Sequence, residues 1–300
     1  MTAAIVLVVG SYNRDTVVNV PRWPAAGETV AGGRIGFAHG GKGSNQALQA
    51  TRCGARVVML AAVGNDPAGD AALALWRSEG IDTAGVQRLP GQRTGGALVM
   101  VDADGGNRIV LDAGANAALQ PPLSGLAGSA SVVVAQLEVP AAVTAAVLSA
   151  ARAAGALTIL NAAPMDREAV RVLAPHCELL VVNEGEASAL LGGIVDAATC
   201  CTCLLARGLA RHAVVVTAGA QGAFAAESGR PPWHVPARPV HVIDTTAAGD
   251  AFVGALAARL AEGASLAQAL PFAAAAGALA CTQAGAEPSL HARAAIEALA

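Results

Sequence analysis

The sequence predicts an α/β fold: a three-layer α/β/α sandwich around a mainly parallel sheet, with a small β-flap as a lid. Three observations predict it. Short apolar runs such as Ile5–Val9, Val132–Ala135 and Leu179–Val182 are continuous rather than alternating, as in strands buried on both faces. Stretches of helical period separate most of them, which is the alternation of βαβ units. Two segments, about 14–39 and 95–111, break that rhythm with turns and short strand patterns, and these form the flap.

Ala4–Val9 is the first core strand and stops at Gly10. Asn13 and Asp15 follow beyond its carboxyl end, where open α/β sheets hold ligands, although turn residues fit the same place. Between 16 and 39, Val17, Val18 and Val20 give way to Pro21 and Pro24 with little helical period, which suits short strands. A flap of this kind needs cover, and we expect it to close over a ligand and to pair two chains in a homodimer. Gly43–Cys53 reads as a helix, Val57–Val63 as a strand, and Pro67–Glu79 as a helix carrying Leu73 and Trp76. Leu98–Val101 and Arg108–Leu111 flank Asp104-Gly105-Gly106-Asn107, a hairpin turn. The second half is regular. Strands Val132–Ala135, Leu157–Leu160, Leu179–Val182 and Ala213–Thr217 alternate with helices Ala141–Ala154, Arg167–Leu173, Glu184–Leu191 and about 197–209. Short strands at 222–226 and 233–235 precede a strand, turn and helix over 241–262, and helices at about 265–281 and after Pro288 complete the order. No long linker interrupts it, so one domain over 1–300 is expected.

Composition narrows the partners. A net charge of −3 with 14% charged residues gives no basic patch for nucleic acid. The hydrophobic fraction of 54% and mean hydropathy of +0.50 owe much to alanine. The uncharged stretch 263–286 includes Gln268, Pro271 and Gln283 and reads as a buried helix, so no membrane partner is expected. No basic segment precedes Ile5–Val9, hence no signal peptide is evident and a cytoplasmic location is expected. The six cysteines are then reduced thiols. Cys200, Cys201 and Cys203 lack metal-site spacing and lie in an alanine-rich helical run, which makes them small core residues.

The stretch His241–Phe252 carries the strongest chemical signal. A helix opening on the small residues 246–249 presents unpaired N–H groups and the positive end of its dipole, a seat for an anion. Asp250 stands beside that seat, where a carboxylate can take a proton from an attacking hydroxyl, and the pairing suits phosphoryl transfer. An isolated Asp there is more often a helix cap, so the weight rests on the company it keeps. Gly40-Gly41-Lys42-Gly43-Ser44-Asn45 opens a second helix with its backbone bared to a polar ligand. Gly36 and Gly41-Lys42 have P-loop spacing, but Gly43 stands where the magnesium-binding hydroxyl belongs, and a P-loop is kept only as a lesser alternative. Glu138 follows the strand ending at Ala135, either facing the same edge or serving as a plain loop carboxylate. Asn183 and Glu186 have the chemistry to hold hydrated Mg²⁺ beside a nucleotide, and equally the spacing of a capping box. Thr217, Gly219 and Gly222 make either a turn open to phosphate or a plain hairpin.

Together these boxes resemble the ribokinase-like (PfkB) carbohydrate kinase family, over nearly the whole chain from Gly10 to Ser289. The resemblance rests on Gly40–Asn45 with Gly27-Glu28-Thr29-Val30 before it, on Asp244–Asp250, on Asn183–Glu186, and on Ala113–Leu119 with Gln136-Leu137-Glu138. It implies a ribokinase-like fold and ATP-dependent phosphorylation of a sugar, with the 5-hydroxyl of D-ribose as the expected acceptor. Deoxyribose, fructose or a nucleoside are the same-family alternatives, and a non-catalytic sugar or nucleotide sensor is the alternative from another class. By position, the resemblance implies Asp250 as catalytic base and the amides of Ala247, Ala248, Gly249 and Asp250 as anion hole. It implies that Asn13, Asp15, Gly41, Lys42, Asn45, Glu138 and Asp250 bind the sugar. For the nucleotide it implies Asn183, Thr217, Gly219, Gly222 and Gly249. Asn183 and Glu186 are implied to serve Mg²⁺ through water, and Asp244, Thr246, Ala280, Gln283, Gly285 and Ser289 to form a K⁺ site. Tyr12 and Arg14 depart from the residues expected beside Asn13 and Asp15, Gln283 stands where an Arg is common, and the base-facing 272–280 is almost all alanine.

Overall fold

The computed structural model describes residues 4–103, 106–121, 125, 127–193 and 196–300. β1 (Ile5–Val9) leads through β2 (Asn13–Asn19) and β3 (Ile35–Gly40) into α1 (Lys42–Arg52), β4 (Arg56–Leu60), β5 (Ala62–Gly64) and α2 (Pro67–Ser78). Then come β6 (Gln87–Leu89), β7 (Gly96–Val101), β8 (Asn107–Asp112), β9 (Val132–Ala135), α3 (Ala141–Ala153), β10 (Leu157–Asn161) and α4 (Arg167–Leu173). β11 (Leu179–Asn183), α5 (Glu184–Leu191), α6 (Ala197–Ala206), β12 (Ala213–Thr217), β13 (Ala223–Glu227) and β14 (Trp233–Val235) follow, then α7 (Ala248–Ala261), α8 (Leu266–Ala280) and α9 (Arg293–Leu299).

The main sheet runs β14-β13-β12-β11-β10-β9-β1-β4. It is parallel from β12 to β4, with β13 and β14 antiparallel at one edge. Alternate residues of β1 divide the core. Val6 and Val8 pack with α1, α2, α7 and α8 on one face, and Leu7 and Val9 with α3 to α6 on the other. Burial on both faces is why these strands read as unbroken apolar runs. β1 goes first to β4 on one side, and later strands build outward from β9 on the other. The order therefore reverses between β1 and β9, and a crevice opens at their carboxyl ends, where such sheets bind ligands.

The flap is the sheet β3-β2-β7-β8, rooted beyond the carboxyl end of β1. Asp104 and Gly105 of the expected hairpin turn lie outside the described residues, while the strands they join pair in antiparallel register from Gly96↔Asp112 to Val101↔Asn107.

Three local expectations change. Asn13 and Asp15 lie within β2, not in a turn before it. The run Val57–Val63 breaks after Leu60, because β4 stays against β1 whereas β5 leaves to pair with β6, a three-residue strand absent from the sequence reading. No strand precedes the turn at 244. Val242 and Ile243 are 57% and 61% exposed, and the N–H groups of Ile243 and Asp244 both donate to Cys281 O, at 2.8 and 3.3 Å. That segment's hydrogen bonds go to the end of α8 instead of to a ladder. Among the described residues no helix is long and apolar enough to cross a membrane. Among the described residues none of the six cysteines forms a disulfide, and Cys200 and Cys201 are buried in the layer of α3 to α6.

Candidate active site

The site is built on two close approaches. Gly41 has φ 90, and a Cβ there would stand 2.7 Å from Tyr12 Cα; one on Gly43 would stand 2.5 Å from Ser11 N. Only glycine lets the start of α1 lie against the chain leaving β1. The approach delivers the Lys42 N–H to Glu138 Oε2 at 2.9 Å, and the Ser11 hydroxyl donates to the same oxygen. The second approach joins α7 to α1, where a Cβ on Gly254 would meet Gln46 O at 2.5 Å. One turn earlier on α7 stands Asp250.

Asp250 is 6% exposed and held at both oxygens. Asn45 Nδ2 donates to Oδ2 and Gln46 Nε2 to Oδ1, each at 2.9 Å. Gln46 Nε2 also reaches Asn161 Oδ1 at 3.0 Å, and Gln46 Oε1 accepts from Gln136 Nε2 at 2.6 Å. The Gln136 bond fixes which end of the Gln46 amide faces Asp250. Replacing Gln46 with leucine is therefore expected to lower kcat by about ten- to a hundredfold, with KM for ATP unchanged. The same change lowers thermal stability, because three buried partners, Asp250, Asn161 and Gln136, lose their bonds at roughly 1–3 kcal/mol each. Steady-state kinetics and a melting curve read both.

The turn into α7 carries Ala247 at φ 60, the one positive-φ residue other than glycine among those described. Left-handed backbone at such a residue costs about 1–3 kcal/mol and clusters at functional sites. The Ala248 N–H is taken by Thr245 O at 3.2 Å, whereas those of Gly249 and Asp250 meet no partner among the described residues. Lys42, Asn183, Glu186, Thr217, Ala247, Gly249 and Asp250 line one cavity of about 200 Å³. The Lys42 ammonium is held above its ordinary pKa by the Asp250 carboxylate, against burial, with help from Glu138 and Glu186.

Asn183 and Glu186 do form a reciprocal capping box, with both bonds at 2.8 Å. Glu186 also faces the cavity, where burial pushes its carboxyl up against the pull of the Asn183 N–H and Lys42, and Asp250 raises it further. Its Oε1 makes no hydrogen bond among the described residues. Among the described residues no group of three His, Cys, Asp or Glu side chains is placed to cage a metal; carboxylate and amide oxygens are donors of the kind Mg²⁺ takes.

On the flap side, Asn116 Nδ2 donates to Asn13 Oδ1 and to Tyr12 O, both at 2.9 Å, and Asn116 Oδ1 accepts the Tyr12 N–H at 3.1 Å. Asp15 lies against Gly40, whose missing Cβ would fall 2.2 Å from Asp15 Oδ2. Burial, and then the neighbouring Glu138 charge, push the Asp15 carboxyl up to about 6. Asp15 Oδ1 and Asn45 Oδ1 are buried acceptors without a hydrogen-bond partner among the described residues. Unpaired buried acceptors are rare in native proteins, and a ligand rich in hydroxyl donors would satisfy these.

Hydrogen bonds join three of the residues implied for K⁺: Asp244, Thr246 and Gly285. Asp244 Oδ1 accepts the Thr246 N–H and hydroxyl at 2.9 and 2.7 Å, and Oδ2 the Gly285 N–H at 2.8 Å. Partial burial would raise this carboxyl, but those donors hold it below its ordinary range. Ala280 and Ser289 are buried and Gln283 is exposed, and no hydrogen bond among the described residues joins these three to Asp244. Carboxylate, hydroxyl and carbonyl oxygens are nonetheless the donors a hard monovalent cation takes.

Beside the first cavity lies a second of about 170 Å³, reached by Thr217, Gly219, Gly222 and Gly249. The sequence assigns no role to Ser11, Gln46, Asn116, Gln136 or Asn161, although Asn116 and Gln136 stand in stretches that carry the family resemblance. A signal existed for three of them: Gln46 adjoins Asn45 in the first turn of α1, and Gln136 and Asn161 stand at strand carboxyl ends.

The fold and this constellation define a class. Residues 3–293 match the family model of the pfkB family carbohydrate kinases, and the chain belongs to that family. It is 36% identical to the ribokinase of Mus musculus over 268 residues, covering 86% of this chain and 82% of that protein. It is 33% identical to the deoxyribokinase of Salmonella typhi over 260 residues, 84% of each. The structure of Arabidopsis thaliana ribokinase complexed with ribose and ATP superposes with a TM-score of 0.90 at 30% identity, covering 100% of this chain and 99% of that one.

Proposed function

We propose that the protein transfers the γ-phosphoryl group of ATP to the 5-hydroxyl of D-ribose, giving ribose 5-phosphate and ADP. One observation carries the reading. Asp250, clamped by two amides, stands at the free N–H groups of α7 and next to buried acceptors that lack donors. The sugar hydroxyls donate to Asp15, Asn45 and Glu138, with Asn13, Gly41 and Lys42 completing the pocket. Asp250 takes the proton of the primary hydroxyl as its oxygen attacks the γ-phosphorus and the bond to the β,γ-bridging oxygen breaks. The N–H groups of Gly249 and Asp250 and the Lys42 ammonium stabilise the charge on the transferring group. Asn183 and Glu186 would hold Mg²⁺ through water, which neutralises phosphate charge. The Asp244 set would hold K⁺, which would supply positive charge favouring a bound anion. Thr217, Gly219 and Gly222 face the nucleotide.

The chain works as one domain, and its flap pairs two copies. Ile35, Phe37, Leu98 and Val110 are 65%, 65%, 43% and 66% exposed, and the strand register puts them on one face of the flap, an apolar surface suited to a second copy. Neither nucleic acid nor membrane is a partner. A cytoplasmic location suits six cysteines outside any disulfide and ATP as co-substrate.

ADP release with ATP, Mg²⁺ and K⁺ is expected to be at least about tenfold more efficient with ribose than with 2-deoxyribose, fructose or nucleosides, a gap of about 1.4 kcal/mol in the transition state. The similarity to a deoxyribokinase makes 2-deoxyribose the second candidate. If 2-deoxyribose ranks first, the acceptor changes and the mechanism stands. Nucleotide binding without acceptor-dependent release leaves a sensor.

A further inference from the structure

The cavity beside the phosphate site is walled largely by carbon. Ala248, Phe252, Ala274, Gly277 and Ala278 bring no polar side-chain atom to it. Its two polar side chains are engaged elsewhere: the Thr217 hydroxyl donates to Val182 O at 3.4 Å and the Cys281 thiol to Gly277 O at 3.3 Å. Much of the main chain along it is spent as well. The Gly222 N–H bonds Gly219 O at 3.0 Å and Gly222 O accepts from Ala218 at 2.8 Å. The Cys281 N–H bonds Ala278 O at 3.1 Å, and Cys281 O receives Ile243 and Asp244. Residues 274–278 lie inside α8, where N–H and C=O groups satisfy one another. Thr217 and Gly249 line this cavity and the phosphate-side one alike, so a triphosphate seated at α7 carries its base here.

We propose that the phosphoryl donor is a purine nucleoside triphosphate as a class, with ATP, GTP and ITP used at similar efficiency. The inference rests on the kinase reading above and names its second substrate more broadly. A site that hydrogen-bonds a substrate edge rejects the wrong analogue by about 10⁴–10⁵, because its own buried groups are left unpaired; an apolar pocket manages only about 10–200. Adenine and hypoxanthine differ in the group on C6 and in whether N1 carries a hydrogen, guanine adds an amino group on C2, and the wall of this cavity offers those positions no free side chain to read them. The base is held by burial against Phe252 and the alanines.

Two measurements test this. Initial rates with ribose and each donor are expected to give kcat/KM values for GTP and ITP within about tenfold of ATP; a wider gap overturns the proposal. Displacement of a fluorescent ADP analogue by ADP, GDP and IDP needs neither sugar nor turnover, and dissociation constants within tenfold of one another are expected. ADP tighter by more than that, or no binding of any of the three, overturns it. A protein that binds all three alike but phosphorylates no sugar keeps the donor inference and loses the ribose reading. One that phosphorylates ribose from ATP alone does the reverse.

Discussion

Replacing Asp250 with asparagine is expected to lower kcat for ribose by about a thousandfold, while dissociation constants for ribose and ATP move by less than about tenfold. Asparagine keeps the volume and one acceptor oxygen but cannot take a proton at neutral pH. It also presents an NH₂ group to a carboxylate's two donors, so either Asn45 or Gln46 faces donor against donor. The loss therefore falls on turnover and on the pose of the reacting hydroxyl, not on the remote contacts that hold sugar and nucleotide. Calorimetric binding with steady-state kinetics separates the two. A loss in kcat below tenfold would place the base elsewhere.

Asp15→Asn is expected to move function and stability in opposite directions. Without sugar, the wild-type carboxyl is buried beside Glu138 and titrates near 6 instead of near 3.8. Between those values the folded protein holds a proton that the unfolded chain has released. Its contribution to stability is thus present below about pH 4 and lost as pH rises through about 6. At pH 7 the ionised carboxylate costs at most about 3 kcal/mol, two pK units at 1.36 kcal/mol each. Asparagine removes that cost, so the variant should melt above wild type at pH 7, with the difference shrinking as pH falls from 6 to 4. It also loses a charged acceptor for a sugar hydroxyl, worth about 1.5–3 kcal/mol, so KM for ribose should rise ten- to a hundredfold. Equal melting temperatures across that range would remove Asp15 from the site's electrostatics.

What the sequence made legible follows from where the information sits. The buried strands announce themselves because both faces are apolar, and the turn at 246–250 because a row of small residues before an Asp has few other uses. The false strand at 241–243 came from reading an apolar run as burial, when Val242 and Ile243 point outward and their backbone serves the end of α8. β6 was invisible because Gln-Arg-Leu has no strand period of its own and is recruited by β5. The clamp on Asp250 was only half legible. Asn45 lies in a glycine box that draws the eye, but Gln136 to Gln46 to Asp250 joins positions 90 and 204 residues apart, which no local pattern encodes.

The seam between α1 and α7 has a consequence for how this chain can diverge. Gly254 lines neither cavity, yet any side chain there would strike Gln46 O, Gln49 Cβ and Ala50 N, and push apart the two helices that hold Asp250 to its amides. In a saturation-mutagenesis map, position 254 should behave like a residue that touches substrate. Exposed positions on α3 to α6 can drift singly. Across this seam, a change on one helix must be answered on the other, so tolerated variants there should arrive in pairs.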